Sequence, residues 1–305
     1  MKKLFSGDEA GIGDATGIPA SMVDNMPFDL GMEAAMAEME MTMFSVVEDA
    51  LQASKLAPSE VDILITATDT YVPVPSASAM IANCFKMRSD VRTYSLGGHA
   101  CTSAIIVVEL AQQLLKASKG KDRRRAKYEL MHTERTLITS NAAYNCIKVR
   151  QAADGEAGCF LHKDDVLASA SESLKLTLTK LAPRILPLSE LMRAARSKKY
   201  KPRLGTAFDH ILIHTGAAAV ISAVVRGLGL EPKAAVPSSE TLERFGNTML
   251  CSTYYILANI ESQNGVKKGD RILQLGFGSG FKCGAAFWRA LRDVKDAQHR
   301  AWEPY

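Results

Sequence analysis

The sequence predicts an α/β protein in which a mainly parallel sheet is covered by helices, built as two successive halves. Three observations carry this. Strand and helix signals alternate along the chain, as in β-α-β-α units. VDILITAT (61–68) is a short, apolar, β-branched run, the mark of a strand buried on both faces. A length of 305 residues, 47% hydrophobic and 23% charged, suits two domains or one large α/β domain of two halves.

Taken in order, residues 1–31 are punctuated by Gly, Met and Pro and read as an extended entry segment. Residues 32–55 combine helix-forming residues with apolar positions at helical spacing. VDILITAT (61–68) is a strand, SASAMIANCFKM (76–87) a helix, VRTYSL (91–96) a strand and 101–117 a long apolar helix. The charge run KASKGKDRRRAK (116–127) marks a boundary, dividing the chain into 1–118 and 119–305. Beyond it, 127–138 reads as a strand, and 165–186 as a helix stopped at Pro183, which has no N–H to donate. HILIHTG (210–216) is a strand leading to a helix from about Ala217, and within 240–265 Gly246-Asn247-Thr248 precedes an amphipathic helix. A final strand, beginning at 271, runs into the loop GFGSGF (276–281).

A net charge of +4 is too small and too dispersed for a nucleic-acid binder, though it favours anionic ligands. Six scattered cysteines, with no CxxC and no Cys/His metal spacing, read as reduced thiols, and no metal site is expected. No uninterrupted apolar stretch approaches the roughly 18 residues needed to cross a bilayer. With no signal peptide, the chain reads as soluble.

SLGGHACTSA (95–104) places Cys101 just after a Gly-Gly turn, at the opening of a helix. The helix dipole and the free N–H groups of a first turn stabilise a thiolate, and the glycines permit a sharp strand-to-helix turn. Packing is the competing reading, because a free cysteine is often a small buried residue. His214 ends an apolar strand at the edge where α/β proteins place functional side chains, although a lone histidine is more often a satisfied core residue. Asn247, in RFGNT, is either a helix cap or an inward-turned amide donor. Gly276, Gly278, Ser279, Gly280 and Phe281 form a loop too near the C-terminus for a dinucleotide fingerprint; its backbone N–H groups would crowd an active site instead.

Together and in this order, GGHACTSA, IHTG, RFGNT and GFGSGFKC resemble the thiolase-fold condensing enzymes. Within that superfamily the chain is similar to the plant and algal 3-ketoacyl-CoA synthases of very-long-chain fatty acid elongation. Flanking stretches that carry the likeness include GIGDATGIPASM, VPVPSASAMIANCFKM, KYELMHTERT, ILPLSE and 243–288. The resemblance implies a thiolase-like fold of two pseudo-duplicated βαβ halves layered α-β-α-β-α. It implies that Cys101 carries the acyl group, that His214 and Asn247 stabilise the enolate formed when malonyl-CoA loses carbon dioxide, and that 276–281 shapes the thiolate pocket. Acyl-CoA and malonyl-CoA are then the substrates, with no cofactor beyond CoA. A homodimer or an elongase-complex subunit at the endoplasmic reticulum membrane is the implied setting.

Three departures from that family's pattern stand out. The N-terminal membrane-spanning helices of the family are not recognisable here. Ala100 and Thr102 replace Gly and Ser beside the cysteine, and Ala217 and Ala218 replace a Gly-Arg pair after His214. Several tens of residues are missing where the Cys helix joins KYEL, so the first half is expected to lack its last strands. That gap keeps alive a second reading, a thiolase-fold protein without catalysis that acts as a partner in an elongase complex. A Cys-His-Asn protease is a distant third, because protease signatures are lacking.

Overall fold

The computed structural model describes residues 31–69, 71–117, 126–151, 157–196, 205, 207–295 and 299–302. The expected entry segment at 1–30 and most of the charge run at 116–127 lie outside these residues.

The first half opens with α1 (Met32–Ser54), which ends where Lys55 takes a left-handed conformation. Strand β1 (Ile63–Thr68) leads to α2 (Ala77–Cys84), whose first turn is capped by the Ser76 hydroxyl accepting from the Ala79 N–H. Strand β2 (Arg92–Gly97) lies parallel to β1, in register from Ile63 opposite Arg92 to Thr68 opposite Gly97. A 3₁₀ turn, Ala100–Thr102, then enters α3 (Ser103–Ala117). Among the described residues this half contributes only a two-stranded sheet, in line with the expected loss of strands.

The second half holds the larger sheet. Strand β3 (Tyr128–Leu137) is followed by the short α4 (Asn141–Asn145) and an antiparallel hairpin, β4 (Ile147–Gln151) and β5 (Ala157–Leu161). Helix α5 (Lys163–Ile185) and α6 (Leu188–Arg196) precede β6 (His210–Ile213). Then come α7 (Ala218–Leu228), α8 (Val236–Phe245), α9 (Ser252–Gln263), β7 (Arg271–Gly278) and β8 (Lys282–Ala290). The strand order is β3-β8-β7-β6.

This sheet is mixed, which corrects the expectation of a mainly parallel one. Only β6 and β7 run parallel; β7 with β8 and β8 with β3 are antiparallel. The cause is the short Ser279–Phe281 link between β7 and β8, since a parallel pair needs a crossover of a dozen residues or more. The hairpin β4–β5 and helix α6 were not anticipated either. Helix α5 also runs through Pro183 to Ile185, because a proline in the last turn forfeits only one backbone bond there.

Helices cover both faces of the larger sheet. On one side Val166, Ala170, Leu174, Leu178, Leu181 and Ile185 of α5 recur at helical spacing and pack with Leu273, Leu275, Phe277 and Phe287. On the other, Ile256 and Ile260 of α9 meet Leu212 and Ile272. Alternate residues of β7 thus feed opposite cores, as the pleat requires.

Helix α3 is different. Its buried residues are confined to Ser103, Ala104 and Ile105, while Leu115 is 54% exposed. The stretch Ala100–Ala117 is long and apolar enough, by length and composition alone, to cross a membrane, a point the sequence reading did not foresee. Its first turn is seated on the second half's sheet. A Cβ added to Gly284 would stand 2.9 Å from Ile105 Cγ1 and 3.1 Å from Thr102 Cγ2, both on buried side chains. Gly284→Ala is therefore expected to cost about 1–3 kcal/mol through overpacking, read as a lower denaturant midpoint at unchanged slope.

Candidate active site

The turn that presents Cys101 is built from tight backbone. Gly98 has φ +71, the left-handed region that glycine enters without penalty. Ala100 has φ +50, so the residue that departs from the family's glycine sits where glycine is favoured. Cys101 follows within the 3₁₀ turn, two residues ahead of α3, half-buried, with the Ser103 N–H donating to the Ala100 carbonyl. The expected strand, Gly-Gly turn and helix are all present.

Beneath the turn lie the glycines of β7. A Cβ on Gly276 would touch the Cys101 carbonyl at 3.5 Å, and one on Gly278 would collide with Thr102 Oγ1 at 2.4 Å and the His99 carbonyl at 2.7 Å. Of the predicted loop, then, Gly276 and Gly278 supply the floor under the cysteine turn. Ser279, Gly280 and Phe281 instead form the β7–β8 hairpin turn. Lys282 Nζ donates to the Ser279 carbonyl at 3.0 Å, Gly280 has φ +84, and the Phe281 ring is a core side chain whose carbonyl accepts from the Ile138 N–H.

His214 stands just past the end of β6 and is buried. Its N–H donates to the Leu275 carbonyl at 3.1 Å, which extends the β6–β7 pairing by one residue. Its Nδ1 lies 2.6 Å from Ser252 Oγ. Burial pushes its pKa down to about 4, so the ring is neutral at physiological pH. Ala217 caps α7 in extended backbone that any residue adopts, so the replacement there costs no strain.

Asn247 lies, as expected, in a turn ahead of a helix, in the loop that leaves α8 at Gly246 (φ +69, ψ −155) and enters α9. It is solvent-exposed, and its Oδ1 accepts from the Met249 N–H at 2.9 Å. With the oxygen anchored in a local turn, the Nδ2 end is the part of the amide left to meet a ligand. Met249 has φ +53 and places Sδ 3.8 Å from Cys101 Sγ. The Thr215 hydroxyl, one residue past His214, donates to the Gly246 carbonyl at 3.2 Å. The 246–252 loop thus ties the three candidate residues together. It reaches Cys101 through Met249 and His214 through Ser252 and Thr215.

Met249, Ser252 and Asp69 are site residues that the sequence reading missed. Asp69 follows β1, and neither of its carboxylate oxygens makes a well-formed hydrogen bond. Burial raises its pKa to about 6, partly offset by the approach of the Leu250 N–H. Its charge also adds to the burial that pushes the Cys251 thiol up. A lone acidic residue at a strand end gives no sequence signal of such an environment.

A strand-turn-helix cysteine, a buried neutral histidine and an asparagine loop, set on this α/β frame, define a thiolase-like protein. Two solved structures share the fold: 1,3,6,8-tetrahydroxynaphthalene synthase from Streptomyces coelicolor A3(2) and the fungal type III polyketide synthase ORAS. The first matches at TM-score 0.66 and 18% identity over 85% of this chain and 80% of that one. The second matches at TM-score 0.62 and 17% identity over 79% and 76%. Residues 3–122 and 117–200 match the family model described as FAE1/Type III polyketide synthase-like protein, and 205–290 match that of the 3-oxoacyl-[acyl-carrier-protein] synthase III C terminal. The chain belongs to the FAE1/Type III polyketide synthase-like family. Among its relatives, 3-ketoacyl-CoA synthase 9 of Arabidopsis thaliana is 34% identical over 97% of this chain and 68% of the relative. Probable 3-ketoacyl-CoA synthase 21 of the same plant is 34% identical over 95% and 75%.

Two measurements follow from the site's geometry. Ala100→Gly is expected to stabilise the fold by about 0.5–1 kcal/mol, because glycine fits the left-handed region without a Cβ penalty. Thermal melting would show it as a rise of a few degrees or less, and a fall would contradict the strain. For Asp69, the unfolded carboxyl titrates near 3.8 and the folded one at about 6. Between those values the native state holds more protons, so stability is full below the lower value and is lost as pH rises through the upper one. Asp69→Asn should therefore stabilise the protein above pH 6 and have little effect below pH 4, as urea titrations on both sides of that window would show.

Proposed function

We propose that this chain is a 3-ketoacyl-CoA synthase, which condenses a long-chain acyl-CoA with malonyl-CoA through an acyl-cysteine intermediate. The observation that carries the reading is the convergence of the Cys101 turn, His214 and Asn247 on the one 246–252 loop.

The chemistry proceeds in two stages. Cys101 Sγ, as thiolate, attacks the acyl thioester carbon and expels CoA, which carries away the proton the cysteine lost. The Met249 thioether lies against that sulfur, so acylation needs this flexible side chain to turn aside. Malonyl-CoA then enters, and its carbon–carboxylate bond breaks with release of carbon dioxide. The electron pair spreads onto the thioester oxygen, where N–H donors on His214 and Asn247 stabilise it. The enolate carbon attacks the acyl-cysteine, and collapse of the tetrahedral adduct returns the thiolate and releases 3-ketoacyl-CoA. A histidine kept neutral by burial supports the donor role over an imidazolium–thiolate pair with Cys101. CoA carries both substrates, and the sequence of steps calls on no further cofactor.

The partly uncovered α3 and the two-stranded first sheet speak for association, as a homodimer or as an elongase-complex subunit. We place the enzyme at the endoplasmic reticulum membrane, where the family resemblance points. The reading as a non-catalytic partner is not favoured, since relatives named as synthases match nearly the whole chain and all three site residue types are retained.

Among the other thiols, burial raises Cys146, Cys251 and Cys283, the last to about 12, while Cys84 is exposed. Limiting iodoacetamide at pH 7 should alkylate Cys101, and pre-incubation with a long-chain acyl-CoA should protect it while leaving Cys84 reactive. Peptide mapping decides, and a Cys101→Ala protein that still forms a hydroxylamine-sensitive acyl adduct would sink the assignment. His214→Ala or Asn247→Ala should slow malonyl-CoA decarboxylation by about 10²–10³-fold. Asn247→Ala should still acylate Cys101. Unchanged decarboxylation in both variants would remove them from the site.

A further inference from the structure

Ser252 stands at the start of α9, fully buried, with its hydroxyl between two groups. Oγ lies 2.6 Å from His214 Nδ1 and 3.0 Å from the Met249 carbonyl. A serine hydroxyl has one proton, so it donates to only one of them. If it donates to the carbonyl, it must accept from His214 Nδ1–H, and the far nitrogen Nε2 is then a bare lone pair. If it donates to Nδ1, the ring carries its proton on Nε2. Because burial keeps the ring neutral, with its pKa near 4, the choice between these tautomers is also the choice between acceptor and donor at Nε2.

The hydrogen-bond inventory favours the second arrangement. The Met249 carbonyl already accepts from the backbone N–H of Ser252 itself, so it stays satisfied when the hydroxyl turns to the histidine. Nε2 makes no hydrogen bond among the described residues, and a Cβ on Gly216 would stand 3.6 Å from it, so the absence of a side chain there keeps its approach open. We propose that Ser252 is a positioning residue whose hydroxyl proton, given to Nδ1, holds His214 as the Nε2–H tautomer that donates to the thioester oxygen during decarboxylation. The inference rests on the role given to His214 above. It adds that the 246–252 loop sets the polarity of the histidine as well as its place.

The test is nitrogen NMR on the full chain with ¹⁵N-labelled histidine, His214 being assigned by the signal lost in His214→Gln. The wild-type protein is expected to show a protonated Nε2 and a bare Nδ1 at His214. This readout needs neither turnover nor a folded Ser252 variant. Ser252→Ala should move His214 toward the Nδ1–H form and cut malonyl-CoA decarboxylation by about 10–10²-fold, through kcat with KM little changed. Acylation of Cys101 should persist, and Ser252→Thr should restore both tautomer and rate. A wild-type His214 protonated on Nδ1 overturns the proposal, as does a Ser252→Ala protein that slows without a change of tautomer. A tautomer that shifts while decarboxylation is unchanged upholds the Ser252 assignment and overturns the role proposed for His214.

Discussion

The site depends on one close approach of backbone to backbone. The turn that carries Cys101 rests directly on β7 and β8 where Gly276, Gly278 and Gly284 present no side chain. A methyl group at any of them meets the turn or the first residues of α3, and at Gly278 it would overlap Thr102 and the His99 carbonyl outright. The contact also joins the two ends of the chain's logic. The cysteine turn comes from the first half and the floor from β7 and β8. Fully buried Thr102 and Ile105 are the pegs that hold it.

From that seat the rest of the geometry follows through a single loop. Residues 246–252 leave α8 at a glycine, turn on the Asn247 oxygen, lay Met249 across the Cys101 sulfur and enter α9 with Ser252 against His214. His214 is fixed from the sheet side by its backbone bond to Leu275 and from the loop side by Ser252. Burial on both sides strips it of charge, leaving hydrogen bonding as its available chemistry. Asp69, just past β1, presses on the same loop with a buried carboxyl that only the approach of the Leu250 N–H partly compensates. Strain and poorly satisfied polarity thus gather around this loop, in Met249 at positive φ and in Asp69 packed against it.

What was legible in the sequence was local. The stretches read as strands became β1, β2, β3 and β6, and the stretches read as long helices became α1, α3 and α5, because period and propensity act over a few residues. The β4–β5 hairpin was missed because its strands are only five residues each, although the tract AADGE between them carries the Asp-Gly pair that signals a hairpin. The direction of β8 was missed because Gly-Ser-Gly read as a ligand loop rather than as a hairpin turn. Cys101, His214 and Asn247 were visible because each residue type sits at an element boundary with its own local signature. Met249 and Ser252 were not, because their roles arise from neighbours 148 and 38 positions away. Ser252 looks in sequence like an ordinary helix-start serine. Only the fold aims it at an imidazole.

The shortened first half is reconciled with the intact site by the same seat. The family model matches in two pieces that meet at residues 117–122, within the charge run, and the alignment to the Arabidopsis relative spans 351 positions against 305 residues here. The relatives therefore carry residues within the matched region that this chain lacks. A parallel sheet of two strands gains little burial on its own, and among the described residues its edges and much of the length of α3 are left partly uncovered. Were the cysteine turn held by strands of its own half, such a loss would loosen it. It is held instead by β7 and β8, strands of a four-stranded sheet with helices on both faces. The consequence of the gap falls on the far end of α3 and on the β1–β2 edges, while the turn that carries the Cys101 sulfur stays anchored on the larger sheet.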